Sequence, residues 1–159
     1  MNASVSVLSA EDQGWVHDLV MLRLPERITV EARTGQDCLW CLAPLDTTGI
    51  DLEPGVTRFR SCAVCYLTRL AWAITWRDWH THILACDTCQ RGENCMTARG
   101  RRAQNEKACA ALGETLSCTA GCLLPIDSSD QAVAVVWDGL THSYPGYAHT
   151  ACFPAEVPR

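Results

Sequence analysis

The chain has 159 residues, of which 48% are hydrophobic and 19% charged, and its formal net charge is −5. This length allows one ordinary domain or a few very small ones, and the apolar content excludes a disordered tail. The acidic balance disfavours binding to phosphate backbones through charge alone. The 11 cysteines are typical either of a secreted disulfide scaffold or of an intracellular metalloprotein.

The amino-terminal segment favours the second interpretation. Residues 1–22 lack a basic region, and Glu11, Asp12 and Asp18 interrupt any apolar run, so no signal peptide is predicted. No stretch approaches the roughly 18 consecutive apolar residues that a membrane span needs. We therefore expect a cytoplasmic protein without a membrane partner, in which CxxC pairs bind metal instead of forming disulfides.

The first part of the chain predicts a helix, a strand and a loop. Ser9 is a candidate N-cap, and apolar residues recur at helical spacing from Trp15 until Pro25 ends the helix. Residues 27–33 alternate between polar and apolar types, which predicts a short strand. Residues 42–60 contain turn-forming residues and predict a loop or a hairpin.

A long helix is predicted from Cys65 to about Ile83, a stretch without proline or glycine whose apolar residues form two opposite faces. A helix that is apolar on both sides usually lies between packed layers. One of these faces is rich in tryptophan, with Trp72, Trp76 and Trp79. The stripe predicts either core packing or a docking surface for a protein partner, because tryptophan is enriched in interface hot spots.

A second helix is predicted from Cys95 to about Leu112, with Asn94 as its N-cap and Gly113 just beyond its end. Basic side chains cluster on and before this helix: Arg91, Arg99, Arg101, Arg102 and Lys107. The cluster predicts either a solvated helix face or contacts with nucleic acid.

The carboxy-terminal part reads as a separate module. It has a predicted strand at residues 132–137, a turn at Asp138–Gly139 and a second turn at Pro145–Gly146. Beyond the pairs of candidate ligands, no internal repeat is predicted. The predicted organisation is an amino-terminal helix and strand at 1–36, a zinc knuckle pair with a helical hairpin at 37–114, and a zinc module at 115–159.

The first candidate metal site has the spacing C-x2-C-x20-C-x2-C and comprises Cys38, Cys41, Cys62 and Cys65. This spacing predicts a four-thiolate zinc site, because structural zinc is enclosed by four Cys or His ligands. A helix opening at the second pair resembles the treble-clef arrangement. The resemblance implies one ligand pair on a knuckle and the other on the first turn of a helix.

The second candidate site comprises His82, Cys86, Cys89 and Cys95. His82 and Cys86 are four residues apart and share a helix face, while Cys95 begins the next helix. A zinc ion would therefore clamp a helical hairpin at its bend. His80 and Cys109 are alternative fourth ligands.

The same segment carries two family resemblances. The pattern His-x3-Cys-x2-Cys at residues 82–89 resembles the motif of zinc-binding anti-sigma factors. The pattern Cys-x2-Cys-x5-Cys at residues 86–95 resembles the last three ligands of WhiB-like iron–sulfur regulators, with Cys62 or Cys65 as the fourth. The second resemblance implies an iron–sulfur cluster at this site and a redox-regulatory function.

The third candidate site comprises Cys118, Cys122, His149 and Cys152. A ligand turn, strands and a final His-x2-Cys pair are similar to treble-clef and zinc-ribbon modules. The x3 gap between Cys118 and Cys122 departs from the usual x2 spacing. His142 is an alternative to His149 as a ligand.

These patterns predict a small α+β fold stabilised by three Zn²⁺ ions, with treble-clef or zinc-ribbon-like knuckles and a zinc-clamped helical hairpin. The metals are expected to be structural, because each set closes at four ligands whereas a catalytic zinc keeps an open position. The sequence lacks the motifs of zinc proteases, zinc deaminases and phosphate-binding loops, so no enzyme is predicted.

Two functional classes follow in addition to the iron–sulfur alternative. The first is a zinc-binding adaptor or regulator that binds a protein partner, and the second is a nucleic-acid-binding zinc-finger transcription regulator that uses the basic cluster at 91–107. The excess of arginine over lysine, the paired knuckles and the His-x3-Cys-x2-Cys segment are similar to small cysteine-rich proteins of actinobacteria and their phages. That resemblance implies no particular activity.

Overall fold

The computed structural model describes residues 9–52, 58–138 and 143–152. Its helices are α1 (Ala10–Met21), α2 (Val30–Arg33), α3 (Ala63–Ala85), α4 (Asp87–Gln90) and α5 (Met96–Ala111). Its strands are β1 (Ile50–Asp51), β2 (Arg60–Ser61), β3 (Ala132–Asp138) and β4 (Ser143–His149), followed by a 3-10 turn at Thr150–Cys152. The strands form two antiparallel pairs, β1 with β2 and β3 with β4. The mixture of helices and small sheets agrees with the predicted α+β class.

Backbone contacts divide the chain into two compact units, Met1–Leu70 and Ala71–Arg159, with the boundary inside α3. The predicted three-part organisation stays a prediction. Among the described residues, no helix is both long and apolar enough to cross a bilayer.

Helix α1 begins where its sequence predicts. The side chain of Ser9 accepts a hydrogen bond from the backbone N–H of Asp12 at 3.1 Å, which satisfies one of the free amides of the first turn. The helix buries Val16, Leu19 and Val20, which share one face. The core of the first unit therefore starts from this apolar face.

The predicted strand at 27–33 is wrong. Thr29 caps the short helix α2, and its hydroxyl accepts a hydrogen bond from the N–H of Ala32 at 3.2 Å. Ala32 is buried, whereas Val30 is 71% exposed, so the alternating pattern does not build one buried face of a sheet. A local cap satisfies the backbone here because no neighbouring strand pairs with it in the described residues.

Helix α3 buries the tryptophan stripe in the second unit. Trp72, Trp76 and Trp79 have at most 1% of their surface exposed. The indole N–H of Trp72 donates to the hydroxyl of Tyr147 at 2.8 Å, and that of Trp76 donates to the carbonyl of Gly146 at 3.1 Å. The tryptophan stripe therefore packs in the core. The alternative prediction of a docking surface is wrong for these three residues, because a partner cannot reach side chains buried against β4.

Tyr147 also organises a buried polar network between α3, α5 and β4. Its hydroxyl donates to Oδ1 of Asn105 at 2.7 Å, and Nδ2 of Asn105 donates to the carbonyl of Trp72 at 3.3 Å. Asn105 is fully buried, so these bonds supply partners that water cannot provide. The thiol of Cys109 lies 3.3 Å from the same hydroxyl.

Strand β3 extends one residue beyond the predicted strand and pairs with β4 along its whole length. The predicted turn at Pro145–Gly146 is wrong, since both residues lie within β4 opposite Val136 and Val135. A Cβ on Gly146 would come within 2.5 Å of the hydroxyl of Thr119. The glycine is therefore needed for close packing and not for a turn. The predicted turn at Asp138–Gly139 extends outside the described residues.

Helix α5 begins at a cysteine. The N-cap is Cys95, whose sulfur accepts a hydrogen bond from the N–H of Ala98 at 3.4 Å, so the predicted cap at Asn94 is one residue too early. The cap is a cysteine because the same residue also belongs to the group of candidate metal ligands with His82, Cys86 and Cys89. Gly113 follows the helix with φ of 74°, as its predicted position beyond the end requires.

Candidate metal centres

The structure brings the 12 predicted ligands together as three groups of four. In each group, every residue offers one ligand atom, and these atoms lie within 4.8 Å of one another. The groups are Cys38, Cys41, Cys62 and Cys65 (site one), His82, Cys86, Cys89 and Cys95 (site two), and Cys118, Cys122, His149 and Cys152 (site three).

The sulfur positions fit a single tetrahedral ion. Zinc–sulfur bonds of about 2.3 Å place two sulfurs of a tetrahedron about 3.8 Å apart. The Sγ atoms of Cys41 and Cys62 in site one are separated by 3.8 Å. In site two, Sγ of Cys95 lies 3.7 Å from Sγ of Cys89 and 4.0 Å from that of Cys86. These donor sets could therefore each hold one metal ion.

Site one combines a tight turn with the start of α3. The N–H of Cys38 donates to the carbonyl of Ala43 at 2.8 Å, and Leu42 adopts the left-handed conformation with φ of 59°. Strand β2 leads directly to Cys62, and the N–H of Cys65, on the first turn of α3, donates to Sγ of Cys62 at 3.5 Å. A knuckle and a helix start thus present the two ligand pairs to one point.

The thiols of site one compete for ionisation. Burial opposes ionisation of Cys38, but hydrogen bonds from the backbone amides of Cys41 and Cys62 lower its pKa to about 6. Burial and the neighbouring thiols raise the pKa of Cys65 far above its usual range. Several thiolates at one point repel one another, so a cation is needed to ionise all four.

Site two lies where the chain passes from α3 through α4 to α5. His82 is in the last turn of α3, Cys86 precedes α4, Cys89 is buried within α4 and Cys95 caps α5. Nε2 of His82 lies 3.0 Å from Sγ of Cys95. Backbone and histidine contacts, led by the N–H of Ala98, lower the pKa of Cys95 to about 6. The four ligand atoms of the predicted clamp thus lie together where the chain passes from α3 to α5.

The alternative ligands for site two lie elsewhere. Nδ1 of His80 is 2.9 Å from the carbonyl of Ala134, and its ring stacks on Trp76. Burial lowers the pKa of His80, which favours the neutral ring. Cys109 belongs to the buried network around Tyr147. His80 and Cys109 are therefore structural residues of the second unit.

Site three joins a knuckle to the end of β4. The N–H of Cys118 donates to the carbonyl of Leu124 at 2.9 Å, and Nδ1 of His149 lies 3.4 Å from Sγ of Cys122 and 4.0 Å from Sγ of Cys152. Burial again opposes ionisation of Cys118, but amide and side-chain hydrogen bonds lower its pKa to about 6. His142, the alternative ligand, lies outside the described residues.

Sites one and three share one backbone pattern, so the expectation of no internal repeat is wrong. The residue after the first cysteine donates its N–H to the strand residue two positions before the third ligand: Leu39 to Arg60 at 2.9 Å, and Thr119 to Tyr147 at 2.8 Å. The knuckle bonds also correspond, since the N–H of each first cysteine donates to the carbonyl two residues after the second cysteine. The sequence signal is Cys-Leu-x-Pro-x-Asp, which occurs at residues 41–46 and again at 122–127.

The turn after each knuckle is held by one arginine. Nη2 of Arg60 donates to the carbonyls of Asp46 and Gly49 at 3.1 and 3.0 Å. In the corresponding turn of site three, the carbonyls of Asp127 and Asp130 accept from the guanidinium of Arg102. Arg60 comes from the hairpin strand of its own site, whereas Arg102 comes from α5. The contacts of these two arginines with the turns were not predicted from the sequence, because they depend on tertiary placement.

The same contacts correct the predicted nucleic-acid surface. Arg102 is 6% exposed and its Nε pairs with Glu106 at 2.7 Å, and Arg101 donates to the carbonyl of Asp78. Arg91, Arg99 and Lys107 remain exposed. Two of the five predicted basic residues thus point into the protein, so they do not form a continuous basic face with the others.

Comparison of the chain with protein families, curated proteins and solved structures finds no significant match.

Proposed function

We propose that this chain is a structural zinc protein that binds three Zn²⁺ ions and serves as an adaptor or regulator through protein–protein contacts. The observation that carries the proposal is the convergence of four ligand atoms at each of three points, with sulfur separations close to those of a tetrahedral ion. Each set closes at four protein ligands, which suits a structural ion and leaves no position for a substrate.

The ligand set of site two favours zinc over an iron–sulfur cluster. Histidine with three cysteines is a common structural zinc set. In a four-iron cluster each thiolate binds a different iron, which spreads the sulfurs farther apart than ligands of one ion. Cys62 and Cys65, the cysteines that a WhiB-like cluster would need, are already grouped with Cys38 and Cys41.

The proposed adaptor surface lies on exposed apolar side chains outside the tryptophan stripe. Leu123 and Leu124 follow the knuckle of site three and are 74% and 60% exposed. The metal-held turn fixes their positions, so little conformational entropy would be lost when a partner binds them. The acidic net charge and the inward direction of Arg102 favour a protein partner over nucleic acid.

The metal proposal is tested by elemental analysis of purified protein together with its absorption spectrum. Three zinc ions per chain and no visible band support it. A brown protein containing iron would instead support the redox-regulator alternative, and a folded protein free of metal would reject both.

The adaptor proposal is tested by affinity purification at high salt with the wild-type protein and the double variant Leu123→Asp, Leu124→Asp. A matched control is Val30→Asp, which changes a 71% exposed side chain on α2. We expect a specific partner that survives high salt, is lost with the double variant and is retained with the control. Steeply salt-dependent binding of DNA or RNA by the wild-type protein would favour the nucleic-acid alternative.

A further inference from the structure

The shared pattern of sites one and three makes their differences informative. Two positions that correspond in the shared pattern carry different residues in the two sites. Cys62 of site one is replaced by His149 in site three, and Gly49 of the first turn is replaced by Asp130 in the second. A Cβ at Gly49 would come within 2.8 Å of the guanidinium of Arg60, so an aspartate there would displace the arginine that holds the turn of site one.

In site three, the two residues that stand in these places, His149 and Asp130, face each other. Nδ1 of His149 lies among the thiols, 3.4 Å from Sγ of Cys122, while its other nitrogen, Nε2, lies 3.4 Å from Oδ2 of Asp130. The imidazole is therefore placed between the metal point and a carboxylate. The side chain of His149 is 18% exposed, so water screens this contact only in part.

The carboxylate is itself held in place. Oδ2 of Asp130 accepts a hydrogen bond from the N–H of Asp127 at 2.8 Å, and the N–H of Asp130 donates back to the carbonyl of Asp127 at 2.9 Å. The carbonyl of Asp130 accepts from the buried guanidinium of Arg102. The turn and the arginine thus fix Asp130 independently of His149.

We propose that Asp130 is a positioning residue of the third metal site, an inference that rests on the proposed zinc binding. Its carboxylate, 3.4 Å from Nε2 of His149, is placed to accept the Nε2–H when the ion binds, which would direct the lone pair of Nδ1 towards the ion and make that nitrogen a stronger ligand. Three thiolates and this carboxylate carry the same four negative charges as the four thiolates of site one. Asp130 thus restores in the surroundings of the ion the charge that a histidine ligand removes.

The test measures zinc affinity at site three by competition with a chelator, followed through the imidazole nitrogen resonances of His149. Asp130→Asn keeps an oxygen for the N–H of Asp127 but removes the charge. We expect zinc to bind about 10- to 100-fold more weakly, the usual effect of losing such a partner. Asp127→Asn, an exposed residue of the same turn, is the matched control and is expected to leave the affinity unchanged.

A second background separates positioning from turn stability. In His149→Cys the ligand no longer has a nitrogen facing Asp130, so the additional change Asp130→Asn is expected to have little effect on zinc affinity. An unchanged affinity in Asp130→Asn alone, or an equal loss in the His149→Cys background, would overturn the proposal. Failure of the wild-type protein to bind zinc at site three would instead refute the proposed function.

Discussion

Site one and site three follow one backbone pattern but depend on different parts of the chain. Both have a knuckle, a left-handed leucine, an arginine-held turn and a ligand pair at the end of a strand. In site one the arginine is Arg60, from the adjoining strand β2. In site three it is Arg102, from helix α5. The comparison teaches that site one is locally complete, whereas site three is tied to the helical part of its unit.

The largest expected effect on this comparison comes from removing one buried ligand of each site. Cys38→Ser and Cys118→Ser should each lower the zinc content from three to two ions per chain, because three ligands bind an ion much more weakly than four. The free energy of zinc binding, of order 10 kcal/mol for structural sites, is also folding free energy. Amide exchange should therefore increase mainly around the altered site.

Cys109→Ser serves as the control for these ligand variants. Its thiol is buried but belongs to no ligand group, so the variant should retain three zinc ions. Loss of a zinc ion in Cys109→Ser, or full zinc content in Cys38→Ser, would contradict the assignment of ligands.

The next effect concerns the two arginines. Arg102→Met should lower the free energy of unfolding by about 3 kcal/mol, because it removes the guanidinium that binds two turn carbonyls and the partly buried Glu106. Arg60→Met should cost about 1–2 kcal/mol, since the Arg60 side chain is more exposed and its partners can reach water. Chemical denaturation of the zinc-loaded proteins measures both values.

Arg99→Met is the matched control for the arginine variants, because it is exposed on the same helix as Arg102 and should change the stability by less than about 0.5 kcal/mol. Equal effects of Arg60→Met and Arg102→Met would remove the distinction between a locally complete site and one that depends on α5.

A smaller effect is expected in the polar network that belongs to the second unit alone. Tyr147→Phe removes the hydroxyl that joins Trp72 and Asn105, and these buried groups are left with one partner fewer. We expect a loss of about 1–3 kcal/mol in thermal or chemical unfolding of the second unit. Tyr144→Phe, at a 43% exposed tyrosine of the same strand, is the control, and a similar loss in both would argue against the network.

The smallest expected effect is an increase in stability. Leu42 and Leu123 have φ of 59° and 57°, a conformation that costs a residue with a Cβ about 1–2 kcal/mol. Glycine avoids this cost but loses about 0.5–1 kcal/mol through the freedom of the unfolded chain. Leu42→Gly and Leu123→Gly should thus each raise the stability by roughly 0.5–1 kcal/mol in thermal melts. A clear loss in either variant would show that the leucine side chain makes a contribution to folding.

The sequence predicted well which cysteines and histidines group together as candidate ligands, because their spacing is a local property. Each pair lies within a few residues, so its geometry is set by one turn or one helix end. The long helices were predicted for the same reason, since helical periodicity extends over many residues. The strand at 27–33 was wrong because alternation over seven residues carries no information about a neighbouring strand.

Other features depended on the three-dimensional arrangement. Arg102 looked like a member of a basic surface, and only the packing of α5 places its guanidinium on the turn at Asp127. The sequence around Asp130 does not by itself indicate a role in the metal site. Its role becomes apparent only because its turn corresponds to the turn that contains Gly49. The repeated motif Cys-Leu-x-Pro-x-Asp indicates this correspondence in the sequence. The hydrogen bonds that the two copies share show that the backbone of both turns follows one pattern.

The most direct test of three structural zinc sites is the metal content of the native protein, measured by native mass spectrometry before and after treatment with a strong chelator. We predict three zinc ions per chain, and loss of cooperative thermal unfolding once they are removed. A protein that still melts cooperatively without metal, or one that carries iron in place of zinc, would contradict the central claim.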